Sequence, residues 1–206
     1  MSSSVLLPAL SFADMYFDGE HLLSFLKIGA PDYPEDILRA EMCGHNFGIP
    51  GTQLPIRGDA AERERARTLC LLWDILWIWS PDDQAAVWRA FDAFGVNGAE
   101  WISPRRATEF ASLDAESCRL SAYAQKGRGA LFVLANLGRE ETDCRLTIKR
   151  GAIGLAPGVS LRARDEIEGL GLPMDGDAVT VRVKPGKFCM IAIRSAEHTG
   201  KEQDSR

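Results

Sequence analysis

A burst of ionisable groups around one glycine, Asp18-Gly19-Glu20-His21, follows the apolar and aromatic run Met15-Tyr16-Phe17. Met15 to Phe17 suits a buried strand, and Asp18-Gly19 stops it because glycine permits backbone angles that end a strand. Asp18, Glu20 and His21 are therefore predicted at the carboxyl end of a strand, where barrel and open α/β enzymes place their chemistry. Two carboxyl groups two residues apart point to one side of an extended chain, with backbones roughly 6–7 Å apart. Such a pair can divide acid–base work, one group protonated to donate and the other ionised. Each can also accept hydrogen bonds from hydroxyl groups. The plainer reading is a polar turn after a strand.

Other residues could join that chemistry or simply build the fold. Arg39 and Glu41 form a structural ion pair or face a cleft. Asp74 lies between Trp73 and Ile75 in an apolar run. A carboxylate there must find a donor such as Arg39, reach a cleft or be protonated. Trp73 and Trp77 are four apart and are predicted to share a helix face. Stacking on a flat ring is one use for them, and core packing beside Leu, Ile and Cys is the other. His21, Cys43 and His45 match no standard zinc spacing, so no metal is expected. The chain carries no G-x-S-x-G, P-loop or dinucleotide fingerprint, and no cofactor is expected.

The elements that would position these groups follow from patterning. Val5–Leu10 reads as a short strand or turn broken by Pro8. Residues 22–33 read as a loop, and Pro34 opens a short helix that Gly44 ends. Asn46–Leu54 is extended. Asp59 with Glu62 has capping-box spacing, so a helix is predicted from Ala60 to about Trp77. A second runs from Gln84 to Phe94 and ends at Gly95. Ser103-Pro104-Arg105-Arg106 marks a boundary. Beyond it the period changes to two. Strands are predicted at Cys118–Ala124, Ala130–Asn136, Asp143–Lys149, Ser160–Asp165, Val179–Val183 and Phe188–Ile193. Lys126-Gly127-Arg128-Gly129 is the turn between the first two. Leu131–Leu134 is apolar on both faces, which marks the central strand. Six such strands with no helix between them argue for an antiparallel sandwich. Glu197–Arg206 is a polar tail expected to be disordered.

Composition narrows the class. The chain has 206 residues, 46% hydrophobic and 26% charged, an ordinary globular balance. A formal net charge of -5 favours neither nucleic acid nor an anionic membrane surface. Five cysteines are scattered singly and read as reduced buried thiols. Thr68–Trp79 is strongly apolar but too short to span a bilayer. Met1–Leu10 has no basic n-region, so no signal peptide is expected in this chain.

Two regions carry a family resemblance. The stretches DMYFDGEHL, LRAEMCGHNFGIP and ERARTLCLLWDILWIW resemble the late barrel region of large bacterial glycoside-hydrolase-like proteins, distantly similar to N-acetylgalactosaminidase-type barrels. FGVNGAEWISP, leading into SAYAQKGRGALFVLANLGREETDCRLTIKRGAIGL, ARDEIEG and KFCMIAIR, resembles the sandwich that follows the barrel in many glycosidases. The resemblance implies a two-part α+β chain: an incomplete (β/α)8-barrel segment over residues 1–105, then an antiparallel β-sandwich over residues 106–196. A full barrel needs about 250 residues. The early and middle strands are missing here, and no residue matches the family's catalytic acidic pair. The chain then reads as a fragment, a truncated paralogue or one half of a split protein.

On this resemblance the partner is carbohydrate. Asp18, Glu20, His21, Arg39, Glu41 and Asp74 are the candidate substrate-binding residues, with the catalytic residues unassigned. Glycoside hydrolysis itself needs two carboxyl groups in unlike states. The unpaired edges of an open barrel predict self-association or a complementing barrel segment. Many such enzymes are exported. The expected function is the C-terminal section of a glycoside hydrolase, inactive alone. A non-catalytic sugar-binding module and a purely structural domain are the rivals.

Overall fold

A computed structural model describes residues 11–17, 39–40, 43, 48–53, 59–77 and 84–196. Asp18, Glu20, His21, Glu41, His45, the 5–10 segment, the 22–33 loop and the 197–206 tail lie outside the described residues. The chain divides into two compact units, Met1–Asp83 and Gln84–Arg206.

In the first unit, β1 (Tyr16–Phe17), β2 (Gly51–Gln53) and β3 (Leu76–Trp77) form a parallel sheet in sequence order. Tyr16 pairs with Gly51, and Gln53 with Trp77. Parallel neighbours need a long crossover, and helix α1 (Ala60–Leu72) supplies it between β2 and β3. The predicted capping box is present. Asp59 Oδ1 accepts from the Glu62 backbone N–H, and the Asp59 N–H donates to Glu62 Oε2, both at 2.8 Å. Such a cap contributes about 1 kcal/mol. The charged first half of α1 is partly exposed, and its apolar second half buries Leu69, Cys70, Leu71 and Leu72.

The helix stops five residues short of the predicted Trp77. Trp73 is its C-cap, Asp74 takes a φ of 56°, and the Ile75 N–H donates to the Cys70 carbonyl at 2.8 Å. The Asp74 N–H reaches the Leu71 carbonyl at 3.4 Å. This is a Schellman ending with aspartate in the left-handed position usually given to glycine. Leu76 and Trp77 then pair with β2 as strand β3. Trp73 and Trp77 consequently do not share a helix face, although both are buried.

The second unit opens with α2 (Ala85–Phe94), ended by Gly95 at a φ of 81° as the pattern predicts, and a short 3-10 turn. Strand β4 (Glu100–Ile102), helix α3 (Pro104–Phe110) and β5 (Ala111–Leu113) follow. Helix α3 has Pro104 in its first turn and Ser103 as its N-cap residue. Then come β6 (Cys118–Gln125), β7 (Gly129–Asn136), β8 (Thr142–Ile148), β9 (Leu161–Asp165), β10 (Leu170–Leu172), β11 (Met174–Asp175), β12 (Ala178–Val183) and β13 (Phe188–Ser195).

These strands make two antiparallel sheets, β10-β9-β13-β7-β6-β4 and β11-β12-β8-β5. Their inner faces share one core. Leu120, Phe132, Leu134, Ile191 and Ile193 come from the larger sheet, and Cys144, Leu146, Ile148, Val179 and Val181 from the smaller. Strand β7 is buried along its whole length, as its two apolar faces predict. Helix α2 covers part of the outer side of the neighbouring β6: Phe91 meets Tyr123 edge-on at 5.2 Å, and the Gln125 amide donates to the Phe94 and Gly95 carbonyls. Asn136 ties the two sheets together. Its amide donates to the Val183 carbonyl at 2.9 Å and the Glu140 carbonyl at 2.8 Å, and its oxygen accepts from the Gly138 N–H at 2.9 Å. At the β6–β7 turn, Gly129 has a φ of 150°, and a Cβ there would collide with the Ile193 carbonyl oxygen, so no larger residue fits. The described residues are thus an α+β arrangement dominated by antiparallel sheet.

Candidate functional site

The candidate site is organised by the parallel strands of the first unit. Because β1, β2 and β3 run the same way, their carboxyl ends, at Phe17, Gln53 and Trp77, fall on one edge of the sheet. The Tyr16 N–H donates to the Pro50 carbonyl at 3.1 Å, and the Thr52 hydroxyl to the Tyr16 carbonyl at 3.0 Å, clamping β1 onto β2. Strand β1 ends at Phe17, one residue before Asp18. The strand that the sequence predicts ahead of Asp18-Gly19-Glu20-His21 is therefore present, while those four residues lie outside the described set.

Of the other candidates, Arg39 is exposed and helical, and its carbonyl accepts the Cys43 thiol at 3.2 Å. Asp74 is half-buried and holds the left-handed turn that ends α1. Sequence reasoning did not single out Gln53. It is a polar side chain only 1% exposed at the carboxyl end of β2, in register with Trp77. A buried amide at a strand end is a usable hydrogen-bonding group, and the only sequence signal was a polar residue closing an extended run. Among the described residues no group of three or more His, Cys, Asp or Glu could hold a metal, and no helix is long and apolar enough to cross a membrane.

The sandwich carries structural rather than site-like ion pairs. Arg182 grips Asp143 through two hydrogen bonds of 2.7 and 2.9 Å, and Arg145 meets Asp175 at 2.7 Å. The Arg182 guanidinium holds the Asp143 carboxyl below its usual range. All four side chains are exposed on the smaller sheet, where such pairs contribute little. Asp165 behaves differently. Burial pushes its pKa up, against the pull of the Glu168 and Ile167 N–H groups that its Oδ1 accepts.

No family model matches the chain, and no curated protein matches it. Solved structures do resemble it. A GH27 β-L-arabinopyranosidase of Geobacillus stearothermophilus superposes with a TM-score of 0.54 at 10% identity, over 91% of this chain and 46% of the enzyme. A maltogenic α-amylase of Thermotoga neapolitana gives a TM-score of 0.51 at 12% identity, over 91% of this chain and 52% of that one. The chain spans about half the length of each. Both neighbours are glycoside hydrolases, and at these identities the likeness is one of fold.

Proposed function

We propose that the chain is the C-terminal section of a glycoside hydrolase: the closing strand–helix units of a (β/α)8 barrel followed by a β-sandwich, without turnover by itself. The observation that carries this reading is the extent of the structural likeness. It runs over 91% of the chain in both neighbours, so the parallel strand–helix part and the antiparallel part are matched together rather than the sandwich alone. Three parallel strands in sequence order, with a helix crossing between two of them, are the arrangement a barrel repeats.

In this reading Asp18, Glu20 and His21 follow β1 and line a sugar subsite, accepting and donating hydrogen bonds to hydroxyl groups. Arg39 and Glu41 are the further candidates for sugar contact by sequence, and Gln53 joins them as a buried amide at the carboxyl end of β2. The acid–base pair comes from barrel strands supplied by a complementing segment. The test is turnover on a panel of aryl-glycosides with the purified chain, together with oligosaccharide binding by calorimetry. No turnover is expected, with weak binding that Asp18→Asn and Glu20→Gln together abolish. Hydrolysis lost in that double variant would overturn the claim of inactivity, and absence of any sugar binding would remove the subsite.

A second reading has its own support. The second unit closes a complete core between its own two sheets, as a self-standing sugar-binding module would. Oligosaccharide binding undiminished by the Asp18 and Glu20 substitutions favours that module.

A further inference from the structure

The outer face of the larger sheet carries a group of arginines on β9 and β13. Ala163, Ile191 and Ile193 point into the shared core, so alternation turns Arg162, Arg164 and Arg194 outward together. Arg162 and Arg194 are directly opposite each other in the β9–β13 register, and Arg164 follows two positions along β9. Opposed side chains of this kind have Cβ atoms about 5 Å apart, and same-face neighbours along a strand are about 7 Å apart. Like charges directly opposite each other destabilise a sheet, and an anion set between them removes that cost.

Two of the three are held in place. The Arg194 guanidinium donates to the Ala93 carbonyl at 2.7 Å and lies over the Phe94 ring at 5.1 Å, at the carboxyl end of α2. Arg164 Nε stands 3.4 Å from Glu166 Oε2, with the arginine side chain 58% exposed. Arg162 is exposed, and among the described residues it has no hydrogen-bond or ion-pair partner. Opposite Arg164 on β10 is Gly171, where an added Cβ would meet no atom within 4 Å. The space beside the guanidinium groups is therefore open on that side.

We propose that Arg162, Arg164 and Arg194 form a binding face for the oxyanion groups, carboxylate or sulfate, of an acidic polysaccharide. A guanidinium presents a planar fork of N–H donors that matches such an oxyanion. One oxyanion bridges Arg162 and Arg194 and relieves their repulsion, and Arg164 meets the next along the polymer. The chain as a whole carries a formal charge of -5, which opposes polyanions at long range, so attachment has to come from this local group. The Phe94 ring beside the group is taken by Arg194, whereas single-stranded nucleic acid stacks its bases on open aromatic faces. That the polymer is a sugar rests on the glycoside-hydrolase reading; the preference for an anion rests on the arginines alone.

The full chain is titrated calorimetrically with oligogalacturonate, with a sulfated dextran oligosaccharide and with neutral dextran. Expected is binding of at least one acidic probe, weakened by added sodium chloride, with neutral dextran unable to compete. The tighter acidic probe identifies the oxyanion. Arg162→Gln and Arg164→Gln each weaken binding about fivefold. Arg182→Gln, on the exposed face of the smaller sheet, leaves it unchanged, as does Asp18→Asn with Glu20→Gln. Arg162 has no polar contact to lose, so its variant tests charge without disturbing the fold. Failure of both acidic probes to bind would overturn the proposal, as would binding that survives the two arginine substitutions together, or an oligonucleotide of equal charge that binds as tightly. Acidic-probe binding lost in the Asp18 and Glu20 variant but kept in the arginine variants would sink this face and leave the glycoside-hydrolase reading standing. Acidic binding lost with the arginines, in a chain that ignores neutral sugars, would support this face and count against the barrel subsite.

Discussion

Removing the Asn136 side chain should unlock the two sheets of the second unit from each other. Asn136 is fully buried on β7, and its amide reaches the Val183 carbonyl on β12 of the facing sheet. It also holds the 136–140 loop through the Glu140 carbonyl and the Gly138 N–H. Asn136→Ala leaves the Val183 carbonyl without this donor in a dry environment, at about 1–3 kcal/mol, and loosens two part-buried groups that water can partly resolvate, at about 1 kcal/mol more. The backbone bonds of Asn136 with Lys187 and Gly186 remain, so the strand itself should survive. The expected loss is about 3 kcal/mol. In urea, at about 2 kcal/mol per molar for the slope, the midpoint falls by about 1.5 M with the slope unchanged. Far-UV circular dichroism of the β-sheet signal follows the transition, with Thr180→Ala on the exposed face of β12 as a control within about 0.5 kcal/mol. Asn136→Asp sharpens the test. It turns a donor into a carboxylate facing two carbonyls, which raises its folded pKa above the unfolded value. The variant should therefore be least stable above that raised pKa and recover as the pH falls through it, when the protonated acid can donate again. A midpoint shift below about 0.3 M in Asn136→Ala would refute the claim that this amide joins the sheets.

Two further perturbations test local readings. Asp74→Gly should raise the stability of the first unit by up to about 1 kcal/mol, because the left-handed angle that ends α1 costs an aspartate more than a glycine; thermal melts of both chains at equal pH check it, and a loss of stability would point to a side-chain role for Asp74. Asp165→Asn should keep the turn, since its amide oxygen can accept from Ile167 and Glu168, while removing a half-buried charge. The folded pKa of Asp165 is raised, so the wild type carries a penalty above that pKa that fades as the pH falls through it. The stability advantage of the variant, read from urea midpoints, should be present near pH 7 and shrink in acid.

Local pattern alone determined a good part of this protein. The Asp59–Glu62 spacing dictates the start of α1, and Gly95 the end of α2. The two-residue period of β8 and β12 announces one dry and one wet face, and the apolar run in β7 announces a strand covered on both sides. These are properties of neighbouring residues, since capping, left-handed glycine and alternation act over one to four positions. The strand at Tyr16–Phe17 was legible in the same way. Tertiary structure alone decided the rest. The apolar stretch from Thr68 to Trp77 fits a longer helix equally well, because a continuous apolar run has no period to read. Pairing of Leu76 and Trp77 with β2 drew the last residues out of the helix and put Asp74 into its turn. Strands β5, β10 and β11 are two or three residues long, and only their partners make them strands. Helix α3 is too short to show periodicity, and it forms over Ala107 and Phe110, which bury into the shared core. The meeting of Asn136 with Val183 belongs to the same class. Such contacts depend on which sheet faces which, a choice made by burying the whole core at once, and no stretch of sequence carries it.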